Sequence, residues 1–290
     1  MLKSKKILIG AAFGFLLIYF IYKNITASVF FKGEERVNIV FYGQDTIYYS
    51  LSTNNISYLV PFSADVEVLI PGGYGYYKLG ALGKLVALEK KPDLFKRTFS
   101  VNTSSFVDLY FYDAKPIIYY ETNKKFNKFP NFTQIFLSRS NATLFDKIYL
   151  YYSFIQKQKI QFKLLADLPL IKEKIQLIFD REEFFKKYQG RFYKKSYRTE
   201  NRIVQIMYTK SYKTALMLSR MIDGEGIRVA DISKALENQK RECSVIHKHS
   251  EISQAAKKLA SFFNCSLKKG KTDISDIIFD VEGLNEWNID

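Results

Sequence analysis

Between residues 58 and 80 two apolar runs alternate with two breaks, and this order constrains the fold more than any other stretch of the 290 residues. Tyr58, Leu59, Val60 and Phe62 make the first run, which Ser63, Ala64 and Asp65 interrupt; Val66, Val68, Leu69 and Ile70 make the second, which ends at Pro71. Short runs rich in β-branched and aromatic residues, bounded by turn formers, read as strands. The stretch therefore reads strand, acidic turn, strand, and then a loop containing Gly72, Gly73, Tyr74 and Gly75. That loop has neither the Gly-Lys-Ser/Thr ending of a phosphate-binding loop nor GxGxxG spacing, so it is not a nucleotide loop. Its glycines permit tight turning, either beside a substrate tunnel or simply beside the core.

The flanks extend this pattern. Runs at 37–43 and 47–51 are β-rich, and Asn54-Asn55 signals a turn before the strand at 56–62. Leu79, Leu82, Leu85, Val86 and Leu88 stand at helical offsets up to Lys90-Lys91-Pro92, a second helix is expected from 93 to 100, and a strand from 106 to 112. Strands separated by helices predict a mixed or parallel sheet covered on both faces, giving one α/β domain over 35–180. Composition shifts at 181–202, where eight basic residues face three acidic ones, so 181–199 reads as a basic linker: a solvated segment, a helix face with its aromatics packed below, or a docking strip for anionic head groups or polymer. From 200 to 290 strand patterns alternate with helical ones: Ala215, Leu218 and Ile222 lie on one helix face, and Ala255, Ala256, Leu259 and Phe263 on another. Two βαβ units in a smaller α/β domain follow. Cys243 and Cys265 sit on strands joined by one of these helices, as a disulfide or as two buried thiols. His247 and His249 near Cys243 lack a fixed fourth ligand and make no metal motif.

The start of the chain predicts where it works. Residues 7–22 are unbroken apolar sequence between Lys3, Lys5, Lys6 and Lys23. At 1.5 Å per residue this run spans about 24 Å, which lysine snorkelling at both ends extends to a membrane crossing. The expectation is a cytoplasmic tail and transmembrane anchor over 1–24, with a cytoplasmic N-terminus and the remainder extracytoplasmic; cleavage after Ala27 is the alternative. An apolar content of 47% excludes a disordered chain, and a net charge of +15 calls for an anionic partner or the membrane surface. With that topology the polyanions within reach are lipid head groups and envelope glycopolymers, and no nucleic acid is expected.

The order around residues 58–80 resembles the signature of the LytR-CpsA-Psr family of bacterial cell-envelope proteins. In that family a strand leads to a Pro-Arg-Asp turn and then to a Pro-Gly-Tyr-Gly loop carrying a lysine. Asp65 matches the acid, residues 71–75 the loop and Lys78 the lysine, whereas Ala64 stands in place of the arginine. The last ninety residues resemble the LytR C-terminal domain, with Asp276, Ile277, Ile278, Phe279 and Asp280 as its late strand and Tyr208-Thr209-Lys210 replacing its usual Asn-Gly-Thr loop.

The resemblance implies transfer of a glycopolymer from a polyprenyl-pyrophosphate carrier to peptidoglycan, assisted by Mg2+. It places Asp65 as the catalytic carboxylate, Asp45 and Asp65 as magnesium ligands, and Lys78, Arg97, Tyr74 and Tyr76 as ligand contacts. Against each stands a plainer reading: turn capping for the aspartates, solvation for Lys78 and Arg97, packing for the tyrosines. The family's arginines hold a pyrophosphate through a planar fork of donors, which alanine cannot supply. Arg139 is also the single arginine between 110 and 180, where the family has an arginine-rich helix. The two losses predict a degenerate active site: an anchored envelope protein that binds lipid-pyrophosphate-linked glycopolymer or cell wall without efficient transfer. The alternatives are an active, magnesium-dependent phosphotransferase, and a non-catalytic assembly protein that docks an envelope protein through its C-terminal domain.

Overall fold

The computed structural model describes residues 2–115, 117–121, 128–157, 162–173, 175–235, 242–248, 251–272 and 274–290, the side chains of 2–13, 17 and 157 excepted. Helix α1 (Leu2–Ala27) is continuous. Among the described residues no helix is long and apolar enough to cross a membrane, and residues 7–13 and 17 of the expected span lie outside the described side chains.

The first sheet is built on β1 (Arg36–Tyr42), β2 (Thr46–Ser52) and β3 (Tyr58–Phe62), an antiparallel meander. Every residue of β1 and β2 is buried, so the period-2 alternation feeds two cores instead of one core and solvent. Val40, Tyr42, Tyr48, Val60 and Phe62 point to one core; Val37, Ile39, Phe41, Tyr49 and Leu51 point to the other.

A second sheet starts after Asp65. Strand β4 (Val66–Ile70) leaves the meander at the Ser63-Ala64-Asp65 turn and pairs with β5 (Gly75–Lys78) as an antiparallel hairpin. The glycine loop is the turn of that hairpin: Gly72, Gly73 and Gly75 have φ of 94°, 84° and 75°, a region that side chains with a Cβ adopt only under strain. Helices α2 (Leu82–Glu89) and α3 (Asp93–Thr103) follow and cover the first core through Leu82, Leu85, Phe95 and Phe99. Strand β6 (Leu109–Tyr112) returns parallel to β1; α4 (Phe132–Phe136), β7 (Arg139–Ser140) and α5 (Leu144–Lys157) then close the other face, with Ile135, Leu150 and Phe154 in its core. Strand β8 (Lys163–Leu164) completes the first sheet, and β9 (Leu170–Glu173) with β10 (Gln176–Phe179) completes the second, so its order is β5-β4-β10-β9. The class is α/β with mixed sheets, but the single central sheet expected from sequence is two. The turn at residues 63–65 redirects the chain where the strand pattern alone shows only a break.

Residues 181–199 fold as α6 (Arg181–Tyr188) and α7 (Lys195–Glu200). Asp180 caps α6 by accepting from the Glu182 and Glu183 amides at 3.1 and 3.0 Å. The charges alternate with aromatics: Phe184, Tyr188 and Phe192 join the first core and Tyr197 the core of the third sheet.

The third sheet has the order β12-β11-β15-β13-β14. Strand β11 (Ile203–Tyr208), helix α8 (Tyr212–Glu225) and β12 (Arg228–Lys234) form one parallel crossover; β13 (Ser244–His247), α9 (Gln254–Phe263) and β14 (Ser266–Lys269) form another. Strand β15 (Ile277–Asp280) lies between them, parallel to β11 and antiparallel to β13. Cys243 and Cys265 form a disulfide across the second crossover.

The third sheet shares its core with the first half of the chain. Leu69, Val101 and Phe106 are buried with Met221, Ile222, Leu259 and Phe263, and Phe106 stacks on Phe262 at 4.0 Å. Gly224 marks the closest approach, since a Cβ there would lie 1.7 Å from the Ser104 carbonyl oxygen. Gly224→Ala is therefore expected to lower stability by about 1–3 kcal/mol, the usual cost of overpacking. A denaturation midpoint equal to wild type would show that the two halves separate there without loss.

A buried ionic group ties the same halves. Lys194 Nζ lies 2.7 Å from Glu34 Oε2 and 2.8 Å from Glu225 Oε1; Lys258 Nζ lies 3.1 Å from Glu34 Oε1 and 2.8 Å from Asp108 Oδ1. The approach of Lys194 to Glu225 is Coulombic, its angles falling outside hydrogen-bond geometry. The other Glu225 oxygen accepts from the Phe106 amide at 3.0 Å, and Asp108 Oδ2 from the Asn38 amide at 3.0 Å.

Candidate functional site

Two clefts flank the strand ends of the first sheet. The first, of about 390 Å³, lies between the β1–β2 turn and the β3–β4 turn and is lined by Asp45, Ile47, Phe62, Ala64, Glu121 and Asp167 among others. Asp45 and Ala64 both line it, and the charged residues among its described lining, Asp45, Glu121 and Asp167, are acidic. Among the described residues no three histidine, cysteine or acidic side chains converge to hold a metal. Asp167 is already paired with Lys187.

Ala64 is 6% exposed, and its carbonyl accepts from the Gly80 amide at 2.8 Å. Gly80 in turn fits only as glycine, because a Cβ would lie 2.1 Å from the Tyr119 carbonyl oxygen. Asp65 is half-buried in the turn before β4, its amide donating to Ser63 Oγ at 3.3 Å. Lys78 is exposed at the end of β5, opposite Glu67. Neither Asp65 nor Lys78 lines either cleft.

The remaining sequence-predicted residues meet the third-sheet half of the chain, helix α2 or solvent. Arg97 donates to the Glu286 carbonyl at 2.9 Å, and the Gly72 and Gly73 amides donate to the Asn288 carbonyl at 2.7 and 3.2 Å. The glycine loop and its neighbouring arginine thus receive residues 286–288. Tyr74 donates to Glu89 at 2.7 Å, a bond that raises its pKa together with slight desolvation, while Tyr76 is exposed on β5.

The second cleft, of about 360 Å³, lies at the carboxyl ends of β1 and β6 and gathers Lys90, Lys115 and Arg139 around Tyr42, Tyr112 and Tyr119, with Asp113 at its edge. Lys90 is placed by the left-handed C-cap of α2, and Arg139 by pairing opposite Tyr112 across β6 and β7. None of the three cations is ion-paired among the described residues. The Tyr42 and Tyr119 hydroxyls are committed. Tyr42 donates to the Gly80 carbonyl at 3.0 Å and accepts from the Gly83 amide at 2.8 Å; Tyr119 donates to Asp113 Oδ2 at 2.6 Å. Burial pushes the Tyr42 hydroxyl up to about 12, and burial with the Asp113 bond raises that of Tyr119 further. Both stay protonated at neutral pH, so this cleft offers positive charge and aromatic walls rather than a proton-transfer group. Sequence reading noted Arg139 only as a remnant; the convergence of Lys90 and Lys115 on it depends on a parallel return of β6 that leaves no local signal.

Compared with known proteins, the chain matches no family model and no curated protein. Among solved structures, the crystal structure of B. subtilis TagT aligns over 53% of this chain and 89% of its own length, at 9% identity and a TM-score of 0.32, a likeness too loose to carry an argument.

Proposed function

We propose that this chain is a membrane-anchored, exported envelope protein of LytR-CpsA-Psr type that binds an anionic lipid-linked glycopolymer or cell wall without efficient transfer. The binding site in this reading is the cleft between β1, β6 and α2, not the turn at Asp65. The observation that carries it is the gathering of Lys90, Lys115 and Arg139 around tyrosine walls in a chain of net charge +15. Phosphate oxygens pair with the cations, and sugar or prenyl groups lie on the rings. The disulfide between Cys243 and Cys265 supports an oxidising compartment, and the lysine bias around residues 7–22 supports the orientation. No step of this reading passes through magnesium.

The test is binding of a short-chain polyprenyl-diphosphate analogue to the full-length protein over a range of salt. Lys90→Glu with Arg139→Glu is expected to weaken binding about tenfold or more, and salt to weaken the wild type. Ala64→Arg is expected to have little effect. A gain from Ala64→Arg with no loss from the double reversal would move the ligand to the acidic cleft and revive the phosphotransferase reading; absence of binding by the wild type would sink both.

A further inference from the structure

Helix α5 is apolar on both sides. Leu150 and Phe154 are 0% and 2% exposed in the core, while Leu144, Ile148, Tyr152 and Ile155 recur at i, i+4, i+8 and i+11 on the outer side with exposures of 49%, 50%, 60% and 46%. An uncharged stripe of that length is more than the scattered apolar exposure of an ordinary surface. Its position gives it an occupant. Asp146, buried near the start of α5, accepts from Ser28 Oγ at 2.6 Å and from the Val29 amide at 3.0 Å, so the residues that follow α1 are pinned to α5. Phe30 stacks on Tyr149 at 4.1 Å, and Phe31, exposed, meets Phe145 edge-on at 5.8 Å. The described part of α1 is apolar and exposed through Phe15, Ile18, Phe20 and Tyr22. Two exposed apolar surfaces therefore join at one rigid corner.

We propose that the outer face of α5 rests in the head-group region of the bilayer that holds α1, so that the folded part of the chain is fixed against the membrane by two elements. This rests on the anchor reading above. A lipid surface suits the face because its tyrosines carry an apolar body with a polar tip, the chemistry enriched at membrane interfaces, and because exposed Lys32 beside Phe31 suits anionic head groups.

The experiment places an environment-sensitive fluorophore at Tyr19→Cys, Tyr152→Cys or Lys213→Cys in the full-length protein, whose own cysteines are both in the disulfide. The protein is reconstituted in vesicles of phosphatidylcholine and phosphatidylglycerol carrying brominated acyl chains. Quenching is expected at 19 and 152 and not at 213, an exposed position on α8. Quenching at 19 alone would overturn the docking of α5 and leave the anchor standing. Quenching at neither would overturn the anchor reading and the docking with it. An intermolecular disulfide through unlabelled Tyr152→Cys, without quenching there, would assign the face to a second copy and overturn the proposal.

Discussion

Lys194→Met is expected to lower the unfolding free energy by about 3–5 kcal/mol, because it leaves the buried Glu225 carboxylate without its nearest cation and Glu34 with Lys258 alone. The lysine side chain is 1% exposed, so water cannot replace the lost charge. The neighbouring groups predict the pH behaviour. Burial disfavours the Lys194 ammonium, but Asp108, Glu225, Tyr197 and Glu34 outweigh it and raise its pKa well above the usual lysine value. Its contribution is therefore complete below the ordinary lysine range and is lost as pH climbs through the raised value. Burial also disfavours the Asp108 carboxylate, but Lys194, Lys258 and the Asn38 amide outweigh it and lower its pKa; that contribution is complete above the ordinary aspartate range and is lost as pH falls through the lowered value. Burial raises Glu225, which opposes Asp108 on the acid side. Urea denaturation across pH should show a neutral plateau in the wild type. In Lys194→Met the plateau should drop and the alkaline limb weaken to what the buried tyrosines contribute, and adding Glu225→Gln should restore part of the loss. An unchanged midpoint at neutral pH would show that the network contributes nothing net.

Removing the disulfide by Cys243→Ser with Cys265→Ser is expected to cost about 3 kcal/mol, from the loop entropy of a closure spanning 22 residues. The bridge joins the chain just before β13 to the chain just before β14, where the Ser266 amide also donates to the Cys243 carbonyl at 3.2 Å. Without it the α9 crossover is held by the sheet, by the packing of Ala255, Ala256, Leu259, Phe262 and Phe263, and by the Glu200 bonds to its first turn. Thermal unfolding with and without reductant reads the effect directly. Equal transitions under both conditions would mean that the thiols are unpaired in the folded protein.

The elements that were legible in the sequence are those whose signal is local. The meander at 36–62 shows as β-rich runs parted by Gly43 and Asn54-Asn55, and α9 shows as apolar residues at i, i+3, i+4, i+7. What was not legible depends on where the chain goes after a turn. The period of Val66–Ile70 is that of a strand in either sheet, so pattern alone could not assign β4 to a second sheet beside β10, more than a hundred residues away. For residues 181–199 the sequence leaves a solvated linker and a helix face with packed aromatics both open, because charge counting does not place the aromatics. Phe184, Tyr188 and Tyr197 are buried, and Lys194 enters the interior only because Glu34 and Glu225 meet it from distant segments. The candidate site divides the same way. Asp45 and Ala64 line one cleft beside turns that the strand pattern marks, whereas the cation cleft draws Lys90 from the end of α2, Lys115 from the segment after β6 and Arg139 from β7.

The contact of the glycine loop with Asn288 sets an order of events in folding. The β4–β5 turn and Arg97 obtain their hydrogen-bond acceptors from residues 286–288, nearly two hundred positions later. A chain synthesised from its amino end can assemble the meander early, but that turn stays unsatisfied until those later acceptors emerge. During this interval the first half is an unfinished intermediate whose open edge a chaperone or a protease can meet first.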